Sequence, residues 1–300
     1  MSVEPSEFPP AHQVVETPEV RAVMERGLIY LRAGFALHLS GPAGAGKTTI
    51  AYHLARALGR PFLFAQGDDS LTSAELVRGG VRVSRSRVVD NYIRSVVRTR
   101  EDMREQWTDG WLAAACRRGL TLIYDEFTRS RPETNNVLLS VLAERVLALS
   151  AMQGETIPVH ENFRAIFTSN PAEYVGVYRA ADALRDRLVT IRLSAPDADA
   201  QAAIVHARTG VNPGDCRRIV AAAAAVGRHL GSGGSTGLRA AIALAQVLRA
   251  ERLPVDFRHP AVAGFCLDLL GEGLDPEALA ELLAELSDHL DGEAGADAHP

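Results

Sequence analysis

The sequence predicts an α/β fold, a parallel sheet between two layers of helices, followed by a smaller all-helical domain. Three observations carry that expectation. From residue 35 to residue 193, short apolar runs bounded by turn residues alternate with segments whose apolar residues recur every three or four positions, the order of parallel strands joined by crossover helices. The first run leads directly into Gly41-Pro42-Ala43-Gly44-Ala45-Gly46-Lys47-Thr48, which fits the spacing G-x-x-x-x-G-K-[ST] at every fixed position. Beyond Pro196 the strand pattern stops and the chain turns Ala- and Leu-rich with helical periodicity.

The glycine-rich loop has the context its chemistry needs. Residues 35–40 read as a short buried strand, and Ile50, Leu54 and Leu58 fall on one helical face until Gly59 ends the run. Glycines let the backbone curl so that several N–H groups point at a phosphate, and the helix N-terminus adds partial positive charge. Lys47 then reaches the β- and γ-phosphates of a nucleotide and the Thr48 hydroxyl coordinates Mg²⁺, with Thr49 completing the nucleotide-binding set. Of 32 Lys plus Arg residues, Lys47 is the sole lysine. A compact ammonium stands where a planar guanidinium would crowd the loop. The plain alternative is a turn capping an ordinary helix.

Composition narrows the class. A hydrophobic fraction of 47% and a charged fraction of 23% are those of a soluble globular protein, and 300 residues suffice for a substantial core. A formal charge of −5 gives no global bias towards nucleic acid. Cys116, Cys216 and Cys266 are odd in number and far apart, and C-x-x-C and H-E-x-x-H are absent, so neither a disulfide framework nor a zinc site is expected and a reducing cytosol fits. No apolar run approaches the ~18 residues of a membrane span, and residues 2–12 are polar and Pro-rich, unlike a signal peptide. The expected location is the cytoplasm, with no membrane partner.

Along the chain, residues 1–13 read as a disordered lead. Thr17-Pro18 is an N-cap followed by proline at N1, and Val20, Val23, Met24, Leu28 and Leu31 share a face before Gly34 stops the helix. Val14 and Val15, just ahead, lie near an adenine or in ordinary core. Residues 61–65 form a second strand, and Gly67-Asp68-Asp69 turns away from it; Thr72 with Glu75 makes this a capped helix entry in preference to a metal site. Arginines at 78, 82, 85, 87, 94, 98, 100 and 104 follow, with Tyr92 the only aromatic among them. Single-stranded nucleic acid calls for interleaved aromatics, so a solvated or subunit-facing surface is expected instead.

Residues 120–124 are an apolar strand ending in Asp125-Glu126. In an open parallel sheet ligands sit beyond the C-terminal strand ends, which puts both carboxylates at the crevice of the glycine-rich loop. Asp125 is suited to hold Mg²⁺ through its water shell and Glu126 to orient and polarise an attacking water; helix capping is the alternative. Pro132-Glu133 opens a helix with Val137, Leu138, Val141 and Leu142 inward, and residues 145–149 and 156–159 form a small hairpin. Residues 163–168 are a strand that delivers Ser169 and Asn170. Asn170 hydrogen-bonds the γ-phosphate or the water, or it opens a turn with Pro171. Residues 189–193 are the last strand. In the helical part, Gly231-Ser232-Gly233-Gly234-Ser235-Thr236 leads into a helix with Arg239 in its first turn. A cation there opposes the helix dipole by roughly 0.3–1 kcal/mol, which points to an anion near Arg239 or to a solvated side chain. From Asp291 on, apolar content is lacking and a disordered tail is expected.

The runs VDNYIRSVVRTREDM (89–103), LIYDEFTRSRPETNNVLLSVLAE (122–144), NFRAIFTSNPAEYVGV (162–177) and DALRDRL (182–188) together resemble the AAA+ ATPases, specifically the MoxR branch and the gas vesicle protein N family within it. The likeness covers most of residues 14–193. It implies a three-layer αβα P-loop core over residues 14–195, a helical lid over 196–290 and a tail over 291–300. By motif it makes residues 41–48 Walker A, Asp125 and Glu126 Walker B and Asn170 sensor 1. Arg187 resembles the arginine finger that reaches a neighbouring subunit, with Arg185 as the alternative, and Arg239 resembles sensor 2. The hairpin over 145–159 matches an insertion typical of the branch. The resemblance further implies ATP and Mg²⁺ as ligands and a homo-oligomeric ring, most simply a hexamer. Its clients would be gas vesicle shell or accessory proteins, with no nucleic acid. A MoxR-type activase that helps insert a metal or cofactor into a partner enzyme, and a nucleotide-gated scaffold, are the other readings.

Overall fold

The computed structural model describes residues 14–90, 98–148, 155–171, 182–230, 237–271 and 274–296. The leading residues 1–13, Tyr92 and Arg94 of the arginine-rich stretch, the glycine-rich approach 231–236 and the end of the tail, 297–300, lie outside them.

The elements run α1 (Pro18–Arg32), β1 (Ala36–Ser40), α2 (Lys47–Ala57), β2 (Phe62–Gln66), α3 (Ser73–Val77), β3 (Arg78–Asp90), β4 (Arg98–Asp109), α4 (Trp111–Arg118) and β5 (Thr121–Asp125). A 3-10 turn (Phe127–Arg129), α5 (Pro132–Asn135), α6 (Val137–Ala143), β6 (Val146–Ala148), β7 (Thr156–Pro158), β8 (Arg164–Ser169), α7 (Asp182–Arg185) and β9 (Leu188–Arg192) follow. Then come α8 (Ala198–Thr209), α9 (Pro213–His229), α10 (Gly237–Ala250), α11 (Pro260–Leu270) and α12 (Pro276–Ala296). The chain packs as two units. One gathers Met24–Ser40 and Ala51–Ile191; the other gathers Gly41–Ile50, the chain from Arg192 on, and the described residues ahead of Met24.

The central sheet of the first unit has the order β2-β5-β8-β1-β9, and β2/β5, β5/β8 and β8/β1 pair in parallel. The expected α/β class is therefore what forms. Along β1, Leu37 and Leu39 are fully buried on the face covered by α1 and α2, where a Cβ on Gly27 would lie 3.1 Å from the Leu54 methyls and 3.3 Å from Leu37. On the opposite face Leu63, Leu122, Tyr124 and Phe167 join Leu112 of α4 and Phe127 in one cluster. Each such fully buried side chain contributes roughly 1.5–3 kcal/mol through apolar area removed from water. Cys116 is buried in the same cluster, which pushes its thiol up to about 12 and leaves it inert near neutral pH.

Local signals end the elements where the sequence places them. Thr17 Oγ1 accepts from Val20 N at 3.3 Å at the start of α1, and Gly34 takes a left-handed φ of 93° at its end. The Thr72–Glu75 capping box forms reciprocally at α3. The small hairpin forms as β6/β7, antiparallel, with Leu147 opposite Ile157. The arginine-rich stretch forms a separate antiparallel ribbon, β3/β4, in register from Val81↔Trp107 to Asp90↔Arg98.

The helices of the second unit enclose their own core, with Val205, Ile219, Val226, Leu244, Leu248, Phe257 and Cys266 at its centre. Asp197 caps α8 and Asn212 caps α9 ahead of Pro213 at N1. α12 runs on to Ala296, past the residue where apolar content ends, because Asp291–Ala296 extends a helix already nucleated and held by buried Leu279 and Leu283. Among the described residues, no helix is long and apolar enough to cross a membrane.

Candidate active site

Because β1, β8 and β5 are adjacent and parallel, their C-terminal ends share one edge of the sheet. At that edge β1 releases the chain into Gly41, β5 ends at Asp125 ahead of Glu126, and β8 ends at Ser169 ahead of Asn170. Three sequence-predicted groups, far apart in the chain, are thus carried by neighbouring strand ends.

Within the loop, Gly44 and Gly46 both have φ of 78°, a conformation that strains residues with a Cβ. Gly41 is required for space, since a Cβ there would lie 2.5 Å from the Leu193 carbonyl oxygen. Lys47 is only 8% exposed, and its ammonium donates to the carbonyls of Gly41 and Pro42 at 2.8 Å each. Pro42 O also accepts from Ala45 N–H at 3.3 Å, so Pro42, Ala43, Gly44 and Ala45 make one tight turn. Ile50 N–H bonds Gly46 O at 2.8 Å, which starts the α2 ladder and leaves Thr48 and Thr49 half-buried in a first turn free of acidic residues. A buried ammonium, two left-handed glycines and a helix N-terminus whose own first turn carries no acidic residue form a donor set suited to phosphate oxygens. Within the same unit, a Cβ on Gly44 would sit 3.7 Å from Leu238 Cβ, and exposed Arg239 is the next residue of α10.

β5 is buried along its whole length and carries Asp125 at 7% exposure. One hydroxyl fixes both carboxylate residues: Thr168 of β8 donates to Asp125 Oδ1 at 2.6 Å and accepts from the Glu126 N–H at 2.9 Å. Glu126 itself takes φ 50° and ψ 41°. That left-handed conformation costs a residue with a Cβ about 1 kcal/mol or more, and it persists only where neighbours over-determine it. The neighbours are visible. Gly67 donates its N–H to Asp125 O at 2.7 Å, and Arg129 Nε lies 2.8 Å from Glu126 Oε2. A Cβ on Gly67 would fall 2.3 Å from Glu126 O, 2.9 Å from Glu126 C and 3.1 Å from Phe127 Cα, all backbone atoms. Gly67→Ala is accordingly expected to cost about 1–3 kcal/mol of stability through forced backbone shift. Turnover of ATP should fall with it; chemical denaturation and a phosphate-release assay read the two, and unchanged turnover would show that the Glu126 backbone position is not critical.

Ser169 and Asn170 are 4% and 6% exposed. Behind them His38 of β1 bridges strands, with Nε2 2.9 Å from Ser169 Oγ and Nδ1 3.1 Å from Thr190 Oγ1, edge-on to Phe127 with ring centroids 5.3 Å apart. Burial, aided by the charge of Arg185, pulls its pKa down to about 4, so the ring is neutral at pH 7. The unfolded chain protonates His38 near 6.5 and the folded chain only near 4, so stability from this group is full above 6.5 and is lost as pH falls between those values. Between pH 7 and pH 5 the loss is about 2 kcal/mol. Denaturation of wild type and His38→Asn at both pH values should show that slope in the wild type and not in the variant.

Arg187 is exposed and donates from its guanidinium to Ala183 O, and Arg185 lies 3.7 Å from Asp182. Sequence reading missed Thr168, Gly67, Arg129 and His38, all of which touch the strand-end groups. Only the polarity of His38 and Thr168 inside apolar strands signalled them.

A family model described as AAA domain (dynein-related subfamily) matches residues 36–188. That match spans half of the chain, which is a member of the AAA-domain ATPase class. A RuvB mutant from Thermotoga maritima has the same fold, with a TM-score of 0.54 at 16% identity over 88% of this chain and 75% of that one. Chaperone MoxR1 of Mycobacterium tuberculosis is 27% identical over 201 residues, 66% of this chain and 46% of its own length. Gas vesicle ATPase GvpN of Ancylobacter aquaticus is 44% identical over 277 residues, 92% of this chain and 78% of that protein. The chain belongs to the gas vesicle ATPase GvpN family.

Proposed function

We propose that this protein hydrolyses ATP and uses the cycle to remodel shell or accessory proteins during gas vesicle assembly. The single observation that carries the reading is the delivery of the glycine-rich loop, Asp125-Glu126 and Asn170 by three adjacent parallel strand ends in a chain of this family. Lys47 and backbone N–H groups of residues 43–48 bind the phosphates, releasing the ammonium from its bonds to Gly41 O and Pro42 O. The Thr48 hydroxyl would coordinate Mg²⁺ and Asp125 would hold it through its water shell; the ion would supply charge neutralisation. Glu126 orients the attacking water and polarises it, and Asn170 hydrogen-bonds the γ-phosphate or that water. Arg187, or failing it Arg185, stabilises transition-state charge in the neighbouring subunit, so the working form is a ring, most simply a hexamer. Arg239 bonds the phosphates from α10, so the helical lid and the αβα core change orientation when the γ-phosphate leaves. These roles place the protein in the cytoplasm or on the vesicle surface.

The MoxR-type activase reading is weaker, since identity to the MoxR chaperone is 27% against 44% to the gas vesicle ATPase. The test is complementation of a gas vesicle-forming host whose own copy is deleted. Wild type should restore vesicles and Glu126→Gln should not; restoration by both would favour the scaffold in which hydrolysis is incidental, and by neither the activase.

A further inference from the structure

The edge of the central sheet opposite the glycine-rich loop carries an unusual concentration of guanidinium groups. Arg60 precedes β2, Arg164 opens β8, and Arg145 precedes β6. All three converge on one turn. Arg145 donates to His160 O at 2.8 Å, Arg164 to Glu161 O and Phe163 O at 2.8 Å each, and Arg60 to Asn162 O at 3.1 Å. Among the described residues none of the three pairs with a carboxylate. Their mutual repulsion is felt: burial and then the charges of Arg60 and Arg145 push the Arg164 pKa down.

Apolar surface adjoins these charges. Arg164 Nε also donates to Leu31 O, near the end of α1. The β1/β8 register, Leu37↔Ile166, continued two residues back, sets Phe35 beside Arg164. Phe35 is 55% exposed and Ile29, on the last turns of α1, is 63% exposed; no other large hydrophobic residues are so open among those described. Basic groups without acidic partners beside exposed apolar side chains suit an acidic, helical ligand better than solvent.

The chain itself carries such a segment. From residue 275 to 300 it has Asp275, Glu277, Glu281, Glu285, Asp288, Asp291, Glu293 and Asp297, and no Lys or Arg. On α12, Glu277, Glu281 and Glu285 are exposed at i, i+4 spacing, a line about 12 Å long, and none has an ion-pair partner among the described residues. Asp288 is engaged with Arg258. We infer that the Arg60–Arg145–Arg164 edge, with Ile29 and Phe35, docks the acidic face of α12 from a second copy of the chain. Because two different surfaces meet, the contact is head to tail and propagates into a ring or an open filament. It involves none of the nucleotide-binding residues and stands independently of their roles.

The experiment is sedimentation velocity of the full chain without nucleotide, at about 50 mM and about 500 mM salt. Wild type should self-associate at low salt and dissociate at high salt. Arg60→Glu alone, and Glu281→Arg with Glu285→Arg, should each weaken association about tenfold or more. Mixing the two altered proteins should restore pairing, since the unaltered acidic helix of the Arg60→Glu protein meets the unaltered basic edge of the other. Phe35→Ser, which leaves every charge in place, should weaken association as well and stands in if Arg60→Glu loses its native melting transition. Wild type that stays monomeric at low salt, variants that associate as tightly as wild type, or a mixture that fails to recover would each overturn the contact.

Discussion

Glu126→Gln is expected to bind ATP with near wild-type affinity while hydrolysis falls by about 10²–10⁴-fold. The amide keeps the shape of the side chain, so the left-handed backbone at Glu126, the Thr168 bond to its N–H and the close approach of Gly67 are all retained. What is lost is a carboxylate able to polarise a water, together with a partly exposed ion pair to Arg129 worth ~0–1 kcal/mol. Nucleotide binding by fluorescence titration and phosphate release, measured on the same preparation, separate the two effects. Lys47→Ala should behave oppositely and lose binding first, because its ammonium is the buried positive charge of the loop. Normal turnover by Glu126→Gln would remove that residue from the chemistry and leave the strained turn without a catalytic reason.

Arg187→Ala is expected to lower turnover by about 10³–10⁵-fold with the fold intact. The side chain is exposed and its one bond to Ala183 O is local, so truncation should change stability little. If the residue acts in trans, a mixture of Arg187→Ala and Lys47→Ala should recover part of the rate, because some interfaces pair an intact loop with an intact arginine. Specific activity of the wild type should also rise with protein concentration. Arg185→Ala, run in parallel, distinguishes the two arginines; the one whose loss is complemented in mixtures is the one that crosses the interface. Flat activity with concentration and no recovery on mixing would mean that each chain completes its own site.

Much of this architecture was legible in the chain because the signals are local. Short apolar runs bounded by turn residues at 35–40, 61–65, 120–124, 163–168 and 189–193 place five strands within a residue or so of where they form. The Thr72–Glu75 box and Gly34 end elements through bonds spanning only a few residues. The arginine-rich stretch was different: its composition spoke of surface, and its pairing as the β3/β4 ribbon depends on register between strands, which charge content does not encode.

Sequence alone determined that a strand, a glycine-rich loop and a helix would follow one another at residues 35–58, that an acidic pair would close an apolar strand at Asp125-Glu126, and that a helical domain would come after Pro196. Only the tertiary structure decided what holds those groups in place. Thr168 is 43 residues from Asp125 and His38 is 131 residues from Ser169, yet each pair is hydrogen-bonded because β8 lies between β5 and β1. Gly67 lacks a side chain because the backbone of Glu126 crosses over it. Strand order is set by which apolar faces bury best together, a property of the whole core, whereas a phosphate loop is set by φ angles and N–H groups that a few consecutive residues carry with them.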